Sequence, residues 1–96
     1  MVTMRQALGE VLRAHRQAAG VTLRDLAERS NVSLGYISEI ERGHKEASSE
    51  LLQSLATGLN VSLSVLMRDV SEVLAVHETC SLEVARAAKA ANNHAA

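Results

Sequence analysis

Proline, tryptophan and phenylalanine are absent from the 96-residue sequence, and Tyr36 is its whole aromatic complement. With no proline and only five glycines, little interrupts a helix, so an all-α fold is expected. Without large rings, Leu, Val, Ile and Ala must fill a core that a chain of this length keeps modest. A single cysteine, Cys80, excludes an intramolecular disulfide framework and suits a reducing cytoplasm. No apolar run approaches the length of a membrane span, and the N-terminus lacks the apolar core of a signal peptide. A soluble, cytoplasmic protein is expected. Also missing are a Gly-rich phosphate loop, a Cys-His-Asn constellation and clustered carboxylates, so neither an enzyme nor a bound cofactor is expected.

Net charge is small as well. The formal value of −1 is low for a nucleic-acid binder, a class that is often strongly basic. Its distribution is more informative than its sum: eight of the ten Lys/Arg residues fall within 1–68. Arg42, His44 and Lys45 cluster directly after a candidate recognition helix within the segment around which the chain is organised.

That segment is NVSLGYISEIERG, Asn31 to Gly43. Ser33 has the side chain of a helix N-cap. Behind it, Ile37 and Ile40 form an inward stripe, while Gly35, Ser38, Glu39 and Arg42 line the opposite side. Gly43 suits the left-handed turn out of a helix. Just upstream, Thr22 to Ser30 reads as another short helix, with Thr22 and Asp25 spaced as a capping box and Leu23, Leu26 and Ala27 facing inward. Two short helices joined tightly, the second with a narrow polar face, are what a helix-turn-helix needs to lay one helix in a major groove.

Around this pair the rest of the pattern is helical. A first helix is expected from about Met4 to Ala19, with Leu8, Val11, Leu12 and His15 on one face, Ala18 and Ala19 extending it, and Gly20 as its stop. Ser48 or Ser49 caps a fourth, with Leu52, Leu55, Ala56 and Leu59 inward. Ser62 caps a short fifth helix, and the DNA-binding domain is expected to close near Arg68, giving domains at 1–68 and 69–96. From Asp69 or Ser71 to about Ala91 the chain reads as one long helix, ending in a frayed NNHAA. Leu66, Val70, Val73, His77, Cys80 and Val84 follow one another at spacings of four and three, a heptad-like seam suited to a partner helix. His77 and Cys80 share a helical face, but two ligands are too few for a metal site.

The run from Gly20 to Gly43 (Thr-Leu-x-x-Leu-Ala, then Val-Ser-x-x-Tyr-Ile-Ser-x-Ile-Glu-x-Gly) resembles the XRE, or lambda-repressor-like, helix-turn-helix family, and the resemblance extends through Leu66. More narrowly, VSLGYISEIERGHKEASSELL is similar to the actinobacterial ClgR regulators, a family controlling genes of the Clp protease system. The resemblance implies a five-helix domain that binds a pseudo-palindromic operator on double-stranded DNA as a homodimer. It implies that Leu34, Gly35 and Glu39 face base edges, with Ser38 beside them on the polar strip. Arg24, Ser33, Arg42 and Lys45 match positions facing phosphates; the Tyr36 hydroxyl and His44 are further candidates. Arg16 and Glu41 match a pair that ties helix one to the recognition helix. The resemblance also points to activation, and to RNA polymerase and the Clp protease as protein partners.

Chemistry gives these residues distinct work. Glu39 can accept from cytosine N4, Leu34 suits a thymine methyl, and Gly35 lets backbone approach DNA closely. Many relatives carry long polar side chains at positions 34 and 35, so shape readout takes a larger share here. Tyr36 is expected to pack mainly against helix two. A rival reading makes the chain an antitoxin-like or adaptor module whose long helix binds a different protein. A ligand-sensing regulator finds no second domain here to hold a small molecule.

Overall fold

The computed structural model describes the backbone of residues 2–89 and the side chains of residues 2–78. Five helices make up the described fold: α1 Met4–Ala18, α2 Leu23–Ser30, α3 Leu34–Glu41, α4 Ser49–Leu59 and α5 Leu63–Lys89. All-α architecture is therefore as expected from a chain so poor in helix breakers.

Local chemistry sets the boundaries. Thr3 and Gln6 form a reciprocal capping box that starts α1, a signal the sequence reading passed over. Thr22 and Asp25 do the same for α2, as their spacing predicts. Ser33 caps α3 by accepting the Tyr36 N–H at 3.2 Å, and Ser48 caps α4 in the same way. Gly20 and Gly43 leave α1 and α3 with φ of 70° and 76°. Asn31 and Asn60 take the equivalent left-handed conformation after α2 and α4, which asparagine tolerates better than most residues. After both α1 and α3 the chain turns back on itself. The Val21 N–H bonds the Arg16 carbonyl, and the His44 N–H bonds the Glu39 carbonyl at 2.9 Å.

The core is aliphatic. Leu12, Leu26, Ile37, Ile40, Leu55, Leu66 and Val70 are its largest fully buried side chains. Ile37 and Ile40 are both at 0% exposure, so α3 presents its whole inner stripe to α1 and α2. Helices α2 and α4 cross closely at Gly58, where an added Cβ would lie 3.0 Å from Leu26 and 3.3 Å from Ser30. Ala27, expected to face inward, is only half-buried. The Ser30 hydroxyl, buried in the same crossing, donates to the Leu26 carbonyl at 2.6 Å.

Three expectations need correction. The fifth helix does not end near Arg68: one helix of 27 residues, Leu63–Lys89, carries both the predicted short helix and the predicted C-terminal helix. Nothing at Arg68–Asp69 breaks it, because neither glycine nor proline stands there. Leu66 and Val70, expected in a dimer seam, are 0% and 2% exposed and belong to this chain's own core. Side chains so completely covered have no surface left for a partner. Ala18 and Ala19, expected to extend the inner face of α1, are exposed. Of the remaining seam residues, Val73 is partly buried and His77 exposed, while the Cys80 and Val84 side chains lie outside the described residues. So do Ala91 and the NNHAA tail.

Candidate nucleic-acid interface

The polar ties between α1 and α3 lie at the C-terminal end of α3. The Arg16 guanidinium, from α1, donates twice to the Glu41 carboxylate, Nε to Oε2 at 2.7 Å and Nη2 to Oε1 at 3.0 Å. Its third nitrogen donates to the Val21 carbonyl at 3.0 Å. This planar fork, with Glu41 almost covered, ties α1, the α1–α2 turn and α3 together. Hydrogen bonding to Glu41 also holds the guanidinium pKa above its already high ordinary value. Beside it, Gly9 admits the backbone of α3: an added Cβ would lie 2.5 Å from the Ile40 carbonyl oxygen and 2.6 Å from that of Glu41. The expected Arg16–Glu41 pairing is thus present, and Gly9 is a partner in the same junction that the sequence reading missed.

With its back sealed and its end tethered, α3 turns its first turn outward. Leu34 is 40% exposed, Tyr36 is 38% exposed, and Gly35 has nothing within 4 Å of where a Cβ would stand. Ser38 and Glu39 follow, both half-buried, with Glu39 on the side of the cationic loop.

That loop, residues 42–47, folds back on the helix. The Tyr36 hydroxyl donates to the Glu46 carbonyl at 2.9 Å, and the Lys45 ammonium sits 5.8 Å from the Tyr36 ring centroid. Tyr36 was expected chiefly against helix two; its anchoring contacts are with this loop. Arg42 donates to Glu39 Oε1 at 3.4 Å, and His44 Nδ1 lies 3.2 Å from Glu39 Oε2. Arg42 and His44 remain more than half exposed. Arg24, at the start of α2, is exposed and makes no ion pair among the described residues. Ser33 remains exposed while capping α3. The structure therefore gathers Ser33, Leu34, Gly35, Tyr36, Ser38, Glu39, Arg42, His44 and Lys45 along α3 and the loop after it.

One further contact left no trace in the sequence pattern. His15 Nε2 lies 2.6 Å from Asp69 Oδ2 and joins α1 to α5 across 54 residues. His15, expected to be simply part of an inner face, is half-covered and paired. It borders an open groove of about 460 Å³ between the two helices, lined among others by Val11, Ala14, Val73 and Val76.

A short helix capped by serine, buried on two isoleucines, presented outward and flanked by cations is the second helix of a helix-turn-helix. The chain belongs to the helix-turn-helix family, whose profile matches residues 12–66. It is similar to the transcriptional regulator ClgR of Mycobacterium tuberculosis, at 47% identity over 75 residues, which are 78% of this chain and 67% of that protein. In three dimensions it is similar to the clp gene regulator ClgR from Corynebacterium glutamicum, with a TM-score of 0.77 and 41% identity. That match covers 97% of this chain and 98% of the other. The restriction-modification controller protein C.Esp1396I has a related structure, with a TM-score of 0.69, 29% identity, and coverage of 75% of this chain and 92% of its own. The family expected from the Gly20–Gly43 motif, and its narrower likeness to ClgR, are thereby borne out.

Proposed function

We propose that this protein is a transcription regulator that binds a pseudo-palindromic operator as a homodimer and acts at promoters of Clp protease genes. The observation that carries the DNA-binding part is the asymmetry of α3. Ile37 and Ile40 are wholly buried, while the Leu34–Tyr36 turn stands open beside Arg42, His44 and Lys45. A helix so divided can enter a major groove without disturbing its own core. Leu34, Gly35, Ser38 and Glu39 face base edges, and Arg24, Ser33, Tyr36, His44 and Lys45 face phosphates. Arg42 faces phosphate as well. Double-stranded DNA is the primary partner, and the cytoplasm is its place of action.

The choice of target genes rests on the likeness to two regulators named for clp gene control or as ClgR. Residues 1–68 carry the DNA-reading helices, with Val70 completing their core, and the C-terminal part of α5 supplies the homodimer through Val73, His77, Cys80 and Val84. Symmetry then sets two recognition helices ~34 Å apart, one turn of the duplex. Activation through contact with RNA polymerase, with the Clp protease acting on the regulator itself, completes the reading.

Selection of a randomised duplex pool on the purified protein tests it. Enrichment of an inverted repeat with half-sites about 10 bp apart, and its occurrence upstream of clp genes, is the expected result. Salt-sensitive retention of every sequence alike, with no enriched motif, refutes sequence-specific regulation.

A further inference from the structure

Glu39 is the one carboxylate on the outward side of the recognition helix, and it is not a free side chain. Both of its oxygens face side chains of the segment that follows: Oε1 accepts from Arg42 Nη2 at 3.4 Å, and Oε2 lies 3.2 Å from His44 Nδ1. The backbone holds this arrangement in place. At the turn out of α3 the His44 N–H bonds the Glu39 carbonyl at 2.9 Å, with Gly43 at φ 76° making the reversal possible. His44 is thereby folded back over the residue five positions before it.

We infer that His44 and Arg42 are positioning residues for Glu39, and that the turn after α3 thereby determines base preference at one position of each half-site. The inference rests on the proposed reading of DNA by α3 and goes beyond it in assigning specificity to residues that would otherwise count only as phosphate contacts.

Three physical reasons support it. A bare carboxylate brought against a phosphate backbone meets like charge, and two adjacent donors offset that repulsion. A glutamate has several rotatable bonds, and holding it before contact removes part of the ordering cost of binding. Each carboxylate oxygen can accept more than one hydrogen bond, so a cytosine N4 donor can be received without displacing either clamp. Arg42 uses one of its N–H groups on Glu39 and keeps others for a phosphate; His44 keeps Nε2.

The test is a base-substitution series at each half-site position of the selected operator, measured for the wild type, Glu39→Ala, His44→Ala and His44→Gln. Glu39→Ala should reduce discrimination at one position by about tenfold or more. His44→Ala should reduce discrimination at that same position by about threefold or more and leave the other positions unchanged. His44→Gln, which keeps an N–H donor without the ring, should restore most of it. If His44→Ala instead weakens binding to all sequences equally, with discrimination intact, His44 is a phosphate contact and the clamp is wrong. If Glu39→Ala leaves the profile unchanged while the wild type still selects its operator, the base-reading role of Glu39 falls, and the clamp with it. Failure of the wild type to select any operator would overturn the DNA-reading assignment itself.

Discussion

Arg16 meets Glu41 through two parallel hydrogen bonds, and the Glu41 side chain is only 6% exposed. The recognition helix is thereby held at its far end by a charge from α1. Removing the guanidinium strands a covered carboxylate, which costs more than the lost attraction alone. Arg16→Ala should lower unfolding free energy by about 2–3 kcal/mol, the arginine side being partly solvated. Arg16→Lys should recover only part, since a point charge cannot replace the fork. Urea denaturation of the three proteins checks both, and equal midpoints would contradict the structural role.

Two glycines should respond in opposite directions to the same substitution. Gly9→Ala drives a methyl group into two backbone carbonyls that cannot rotate away, and should destabilise by about 1–3 kcal/mol despite alanine's better helix propensity. Gly35→Ala meets open space and should stabilise by up to about 1 kcal/mol. The same methyl stands on the face assigned to DNA, so operator affinity should fall as stability rises. Thermal melts and a binding titration on one preparation separate the two effects.

The Thr22–Asp25 capping box predicts a dependence on acid. Hydrogen bonds from the Thr22 backbone and hydroxyl hold the Asp25 carboxyl below its ordinary pKa. A carboxyl depressed in the folded state stabilises it above the unfolded value, and that contribution is lost as pH falls through the folded value. Asp25→Asn keeps an acceptor for the Thr22 N–H but not the charge. The wild type should therefore melt above Asp25→Asn at neutral pH, and the gap should close below about pH 4. A gap that persists unchanged in acid would mean the charge is not its source.

Arg24 offers a clean measure of backbone contact, being exposed and without an ion-pair partner among the described residues. Arg24→Ala should weaken binding to every duplex alike and reduce the slope of log affinity against log salt by about 0.9 per lost contact. Unchanged slope and affinity would remove Arg24 from the interface.

Much of this architecture was legible in the sequence because its signals are local. Thr22 with Asp25 and Ile37 with Ile40 act three residues apart, and the Ser33 cap and the Gly43 turn each act on their immediate neighbours, so spacing alone exposes them. Arg16 with Glu41 is not local, and it became readable only through family likeness. His15 with Asp69 had neither aid: the two are 54 positions apart, and the spacing that puts His15 on the inner face of its helix does not name a partner. The stripe through Leu66 and Val70 misled for a different reason. Spacings of four and three describe one face of a helix equally well whether α1 or another chain covers it, and here α1 lies against that end of α5. Gly9 and Gly58 were overlooked because a glycine inside a helix shows its purpose only when the opposing element is in place.

The unbroken course of α5 has a mechanical consequence. At 1.5 Å per residue, its 27 residues form a rod of roughly 40 Å rooted in the core at Leu66 and Val70. Whatever grips the distal part of such a rod also sets the bearing of α3 on the same body. Distance and phase between two DNA-reading heads would then be geometric properties of a shaft. One residue inserted in its exposed stretch would turn the far end by about 100°, and so misalign two intact heads on an intact operator.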